Sequence, residues 1–252
     1  MSGFAPDYSR AAVSPSPNFG ERREGRAPDM IILHYTGMPT AEAALDWLTR
    51  PESEVSSHYF VFEDGRVVQL VPEAARAWHA GRSFWKGDTD INSASIGIEI
   101  ANPGHPGGLP DFPGAQIDAV IDLCHDIMRR RAIAPERVLA HSDVAPVRKI
   151  DPGEKFPWSR LAGSGIGHWV EPGPVGGGRF FQQGDGGPPV EALQAMLALY
   201  GYDVPVSGDY CARTKGVVDA FQRHFRPDRV DGIADVSTIE TLHRLLRELP
   251  QA

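Results

Sequence analysis

The segment AHSDVAPVRKIDPG, residues 140–153, carries His141 and Asp151 ten positions apart, with the basic pair Arg148 and Lys149 between them. Imidazole and carboxylate are metal donors, and a catalytic zinc takes three such protein ligands while leaving one position open for water. A third donor is available in His34, which closes the apolar run MIIL as His141 closes RVLA. Both histidines stand where a buried strand would hand a side chain to a cleft. Pro152 and Gly153 make the next segment a turn and bias Asp151 toward extended backbone. On spacing alone, strand-end histidines are more often not ligands and Asp-Pro-Gly is most often only a turn. An ordinary polar loop therefore stays open as the reading of these residues.

Two further side chains would complete a hydrolytic site. In ASIGIEIAN, strand geometry puts Ile96, Ile98 and Ile100 on one face and Glu99 on the other. A glutamate so placed normally faces solvent. Lining a metal cleft, it would instead take a proton from water, with burial and the metal setting its pKa. Lys149 reads by default as a surface lysine; in a hydrolase it would stabilise the oxyanion formed as water attacks a carbonyl. Arg148 has no assigned chemistry and reads as a surface residue or one behind the ligands.

The elements that must position these residues follow from local pattern. Residues 1–29, rich in Pro, Ser and Arg, form an N-terminal extension that wraps a domain rather than building its core. MIILHYT reads as a buried strand, and TAEAALDWLTR as a helix with Thr40 as N-cap. HYFVFEDGRVVQLV reads as a hairpin through Asp64-Gly65. A helix with an apolar face spans about 115–131 and includes Cys124, a small buried hydrophobe. Strands and helices in this order predict an α/β or α+β domain on a central sheet over 30–170. Residues 171–189, dense in Gly and Pro, form a linker. Residues 190–252 then carry three amphipathic helices, an all-α module. Its two phrases VSGDYCARTKGVV and VDGIADVSTIETL suggest a half-repeat, with Thr214 and Thr238 as matching helix-start residues.

Bulk properties narrow the class. The chain has 252 residues, 41% hydrophobic and 23% charged, with formal charge −8 from 25 basic and 33 acidic residues. That composition is ordinary for a globular protein, and the acidic balance argues against a nucleic-acid partner. Two cysteines, Cys124 and Cys211, make no disulfide framework. No apolar run approaches membrane-spanning length. The first residues show no basic segment followed by an apolar one and no lipid-anchor motif, so the expected location is cytoplasmic, with the periplasm or cell envelope as the alternative.

Five motifs in order, IILHYTGM, SSHYFVFEDGRVVQLV, AWHAGRSFW, INSASIGIEIAN and VLAHSDVAPVRKIDPGEKFPW, resemble the zinc-dependent N-acetylmuramoyl-L-alanine amidases of the type 2 (AmpD-like) family. The resemblance covers about residues 28–170, with LAGSGIGHWV similar to the family's closing segment. It implies a mixed central β-sheet flanked by helices. It also implies one Zn2+ held by His34, His141 and Asp151, with Glu99 as catalytic acid or base and Lys149 stabilising the tetrahedral intermediate. Trp78, His79, Tyr35 and Asn92 become candidate substrate contacts, while His58 reads as structural. The tail resembles the three-helix peptidoglycan-binding domain, departing from it at Cys211-Ala212 and in HFRPDRV.

The implied activity is hydrolysis of the amide between the lactyl group of N-acetylmuramic acid and L-alanine, in peptidoglycan or 1,6-anhydro-muropeptides. The tail would act by avidity on the polymer. Two other classes remain as alternatives: a non-catalytic peptidoglycan sensor and a stem-peptide metallopeptidase.

Overall fold

The structure, a computed structural model, describes residues 4–249. The first three residues of the extension and the last three of the helical module lie outside them. In chain order the elements are β1 (Ala12–Val13), β2 (Phe19–Glu21), β3 (Met30–Tyr35), α1 (Ala41–Leu48), β4 (Tyr59–Val61), β5 (Val67–Gln69), β6 (Ala75–Ala77) and α2 (Ile91–Ala94). They continue with β7 (Ser95–Ile100), α3 (Gly114–Arg131), β8 (Val138–Ala140), α4 (His141–Val144), α5 (Trp158–Gly163), α6 (Pro188–Tyr200), α7 (Ala212–Phe225) and α8 (Val236–Glu248).

The main sheet has the strand order β1-β5-β4-β7-β3-β8, and β2 pairs with β6 in a small second sheet. Within the main sheet β4 and β5 are antiparallel and the other pairings are parallel. This is the mixed sheet flanked by helices that the motifs imply. The β4–β5 turn runs through Gly65 at φ +86°, a left-handed conformation that glycine adopts without strain. The extension does more than wrap the domain as expected: β1 forms one edge of the main sheet beside β5, β2 pairs antiparallel with β6, and Tyr8 and Ala11 join the buried cluster of the sheet domain.

A strand buried on both faces reads as a near-continuous apolar run, and β3 does so, whereas β7 alternates its isoleucines with Ser95, Gly97 and Glu99. Ile31 and Leu33 join Ile96, Ile98 and Ile100 in one buried cluster with Ile117, Val120, Cys124 and Ile127 of α3. Burial pushes the Cys124 thiol up to about 12, so it behaves there as an apolar group. The opposite face packs Phe60, Phe62 and Val68 against Ala41, Ala44 and Leu48 of α1. Thr40 caps α1, its hydroxyl accepting from the Ala43 N–H at 3.2 Å.

Residues 171–179 hold no helix or strand, and Phe181 and Gly186 then form isolated bridges to Ala234 and Asp209. The three-helix module shares a core with the sheet domain. One buried cluster runs from Met30, Ile32 and Leu139 through Trp85 to Tyr200, Tyr202, Phe221 and Phe225. A Cβ at Gly201 would come within 2.7 Å of the Trp85 ring, so a larger residue there would push the two units apart.

The half-repeat has a chemical basis that differs from the expected helix starts. Thr214 and Thr238 do not cap their helices; the N-cap positions are Cys211 and Asp235. Each threonine instead lies inside the first turn and accepts from a buried glutamine: Thr214 from Gln194 at 2.9 Å and Thr238 from Gln222 at 3.2 Å. Gln194 Oε1 in turn accepts from the N–H groups of Ser207 and Gly208, and Gln222 Oε1 from those of Asp231 and Gly232. The repeated unit is a glutamine that closes the loop ahead of the next helix.

Candidate metal centre and active site

The parallel register pairs His34 with Glu99 across β3 and β7. Paired residues on neighbouring strands point to the same face, so the alternation that buries the isoleucines also puts these two side chains together. β8 ends at Ala140, and His141 opens the single turn α4 beside the end of β3. The Ser142 N–H donates to the Asp151 carbonyl at 3.0 Å, fastening the Asp151 segment to that turn.

Three donor atoms converge as a result. His34 Nδ1 lies 2.9 Å from His141 Nδ1 and 3.1 Å from Asp151 Oδ2, and His141 Nδ1 lies 3.0 Å from the same oxygen. Donors bound to one tetrahedral metal at zinc-like distances stand roughly 3.3 Å apart. The triangle is nearly of that size, its residues are all buried, and among the described residues it is the group whose ligand atoms fit one ion.

The ring protons are set for ligation. His141 Nε2–H donates to the Ala80 carbonyl at 3.1 Å, leaving the Nδ1 lone pair facing the other donors. Behind His34 runs a chain: Ser95 Oγ–H donates to the Ile91 carbonyl at 2.5 Å and lies 3.2 Å from His79 Nε2. His79 Nδ1 is 3.0 Å from His34 Nε2. With Ser95 committed to a carbonyl, His79 Nε2–H donates to the hydroxyl and His79 Nδ1 accepts from His34 Nε2–H. His34 is thereby left with a free Nδ1. His79 fits only because residue 97 is glycine; a Cβ there would lie 2.5 Å from the imidazole.

Electrostatics agree with a neutral His34 imidazole and an ionised Asp151 carboxylate. Burial, reinforced by His141, lowers His34 to about 4, although Asp151 opposes the shift. Burial alone would raise Asp151, but the His141 and His34 rings hold its carboxyl well below the usual range.

The site opens into a groove of about 360 Å³ whose polar wall includes Glu99, Lys149 and Arg148 and whose apolar wall includes Met38, Trp47, Leu48 and Val55. Glu99 is half-buried and its Oε2 has no hydrogen-bond partner. Burial, with Asp151 adding repulsion, pushes the Glu99 carboxyl well above its ordinary range, while Lys149 pulls it down. Arg148, unassigned from sequence, lines the groove, and its Nη2 donates to the carbonyls of Ala80 and Arg82 at 2.5 and 2.9 Å.

Of the candidate substrate contacts, Trp78, Tyr35 and His79 line the groove. Tyr35 Oη lies 3.0 Å from His105 Nδ1. His79 also has the supporting place behind His34 just described. Asn92 is a correction: it is buried behind the site, and its Oδ1 accepts from the N–H groups of His79 and Ala80 at 3.1 and 2.8 Å. It holds the backbone that carries His79 and the Ala80 carbonyl. His58 is buried, accepting from the Gly97 N–H at 3.0 Å, as its structural reading requires. Sequence reasoning missed Ser95, whose signal was a small polar residue opening an otherwise apolar strand.

Comparison with known proteins agrees with this geometry. Residues 24–154 match the N-acetylmuramoyl-L-alanine amidase family model, and residues 186–242 match a peptidoglycan binding domain model. The chain is 41% identical over 238 residues to the N-acetylmuramoyl-L-alanine amidase AmiD of Escherichia coli K12, spanning 88% of this chain and 83% of that protein. It is 31% identical over 164 residues to the 1,6-anhydro-N-acetylmuramyl-L-alanine amidase AmpD of Enterobacter cloacae, spanning 58% of this chain and 86% of the relative.

Among solved structures, E. coli AmiD in complex with the substrate anhydro-N-acetylmuramic acid-L-Ala-D-gamma-Glu-L-Lys aligns at TM-score 0.77 and 37% identity, covering 93% of this chain and 99% of that one. Pseudomonas aeruginosa AmpDh3 in complex with anhydromuramic pentapeptide aligns at TM-score 0.75 and 31% identity, covering 91% and 95%. A sheet that brings two histidines, an aspartate and a glutamate to one groove, carried on a sequence this similar, belongs to the N-acetylmuramoyl-L-alanine amidase family.

Proposed function

We propose that this protein is a zinc-dependent hydrolase of the amide between the lactyl group of N-acetylmuramic acid and L-alanine, acting on muropeptides in cell-wall recycling or turnover. The observation that carries the reading is the buried triangle of His34, His141 and Asp151 with Glu99 in register beside it. Two imidazoles and one carboxylate are a donor set suited to Zn2+ with an open position. When bound there, the metal supplies Lewis acidity toward the amide carbonyl and toward water.

The remaining work falls to the chain. Glu99, in register beside His34 and lining the groove, takes a proton from the attacking water and gives it to the amide nitrogen as that nitrogen leaves as an amine. Lys149 offsets the charge that develops on the carbonyl oxygen. His79, Ser95 and Asn92 keep the His34 ring in one tautomer and place. The apolar wall of the groove takes the uncharged part of the substrate and excludes water around the amide. The helical module adds affinity for the polymer.

Mass analysis of an anhydro-muropeptide after digestion tests this reading. Release of a stem peptide with a free L-alanine amino terminus is expected. Cleavage within the stem would assign the site to a peptidase instead. Retention of intact ligand by the metal-loaded protein would make it a sensor.

A further inference from the structure

We propose that Asp143 is a positioning residue for the metal centre, and that the helical module, by gripping Asp143, sets the placement of His141 and Asp151. The inference rests on the metal reading above.

Asp143 is fully buried, yet it neither joins the ligand triangle nor lines the groove. Its Oδ2 accepts from the Ala140 N–H at 2.8 Å, the residue immediately before the ligand His141. The same oxygen accepts from His224 Nδ1–H at 2.6 Å, and Oδ1 accepts from Tyr202 Oη–H at 2.6 Å. Two of its three donors therefore come from the helical module. Both are held rigidly: His224 stacks on Trp158 with ring centroids 3.7 Å apart, and Tyr202 packs edge-on to Trp85 at 5.0 Å.

A buried carboxylate is costly unless its lone pairs are satisfied, so without the module Asp143 would be a liability. With the module it fixes a turn that has little support of its own. α4 is only four residues long, and its bond from the Ala145 N–H to the His141 carbonyl closes a single turn. That turn carries two of the three ligands, His141 directly and Asp151 through the Ser142 N–H to Asp151 carbonyl bond. Shifting Asp143 by a fraction of an ångström moves both donors relative to His34, which is fixed on β3. The module is thus coupled to the metal centre through contiguous bonds, beyond any affinity it adds for polymer.

The experiment is a matched set of full-length variants titrated with cobalt(II) against a competing chelator, with the visible absorption of bound cobalt recorded. Tyr202→Phe removes one hydroxyl from the Asp143 grip, and Asp143→Asn exchanges one of its two acceptor oxygens for an NH2 donor, so its three donors can no longer all be accepted. Tyr200→Phe is the control, since its hydroxyl also bridges the two units but bonds His168 Nδ1 at 3.0 Å and not Asp143. The expected result is roughly tenfold weaker cobalt binding in Tyr202→Phe and Asp143→Asn, at the low end for outer ligand support, with an altered visible band. Tyr200→Phe keeps wild-type affinity and spectrum even where its thermal stability falls.

Folded Tyr202→Phe with unchanged affinity and band overturns the proposal, as does an equal change in Tyr200→Phe. If Asp143→Asn does not fold, Tyr202→Phe decides. Wild-type protein that binds no cobalt overturns the metal reading and this inference together; wild type that binds, with unaltered variants, overturns this inference alone.

Discussion

His34 and Glu99 stand side by side in register on β3 and β7, one facing the metal-donor triangle and the other lining the groove it opens into. The pairing follows from two strands held parallel that bury Ile31, Leu33, Ile96, Ile98 and Ile100 under α3 and so turn His34 and Glu99 to the opposite face. A one-residue slip of either strand would separate them and would bury the wrong face. The register that protects the core is therefore also the register that assembles the site.

Loss of a donor should remove the metal. His141→Ala and Asp151→Ala should both purify with metal content at background, whereas the wild type holds about one ion per chain. A chelator should lower the melting temperature of the wild type and leave that of Asp151→Ala unmoved, because the ion binds only the folded donor set. Elemental analysis and thermal scans with and without chelator check both statements. Unchanged metal content in either variant would remove that residue from the site.

Lys149 lines the groove but lies outside the donor triangle. Lys149→Ala should therefore keep its metal and lose roughly a hundredfold in kcat, as expected when one oxyanion donor is removed. Steady-state kinetics on metal-loaded protein would show it. A rise in KM with kcat intact would recast Lys149 as a binding residue.

Acid stability should depend on a group far from the site. Glu73 is fully buried; its carboxylate accepts from Arg130, Arg131 and the Tyr59 hydroxyl at 2.6–2.7 Å. Burial alone would raise its pKa, but these donors hold it below the ordinary 4.5. The unfolded chain therefore takes up the proton first as pH falls. The stabilisation is complete above the ordinary carboxylate pKa and is lost as pH drops through the folded value. Glu73→Gln should cost on the order of 3 kcal/mol at neutral pH, and the gap to wild type should narrow in acid. Urea midpoints measured across that range test the prediction; a gap that widens in acid would contradict it.

Much of this site was legible in the sequence because strand ends and strand faces obey simple geometry. A period of two places His34 and His141 at the ends of apolar runs and Glu99 opposite three isoleucines, but leaves a polar loop and a solvent-facing glutamate open; the family resemblance supplies their roles. What supports them was hidden. Asn92 looked like a groove residue because a polar side chain in a short segment gives no sign of facing inward. His79 carried no sign that it would stand behind His34, and Gly97 makes room for it only once the sheet is formed. Asp143 looked like part of a polar loop; its donors, Tyr202 and His224, lie 59 and 81 residues away and belong to a different unit. Thr214 and Thr238 lie inside the first turns rather than before the helices, their hydroxyls accepting from Gln194 and Gln222 in contacts that local pattern does not show. Contacts across the chain, not propensities within it, decide these positions.

The most direct test of the account is the turnover of zinc-loaded Glu99→Gln on a muropeptide, with zinc content measured on the same sample. Glutamine keeps the shape of the side chain but cannot take a proton from water. The predicted result is about one zinc per chain and a fall in kcat of roughly a hundredfold or more. Wild-type turnover by the zinc-loaded variant would contradict the central claim that Glu99, set beside the His34–His141–Asp151 triangle by strand register, carries the proton in amide hydrolysis.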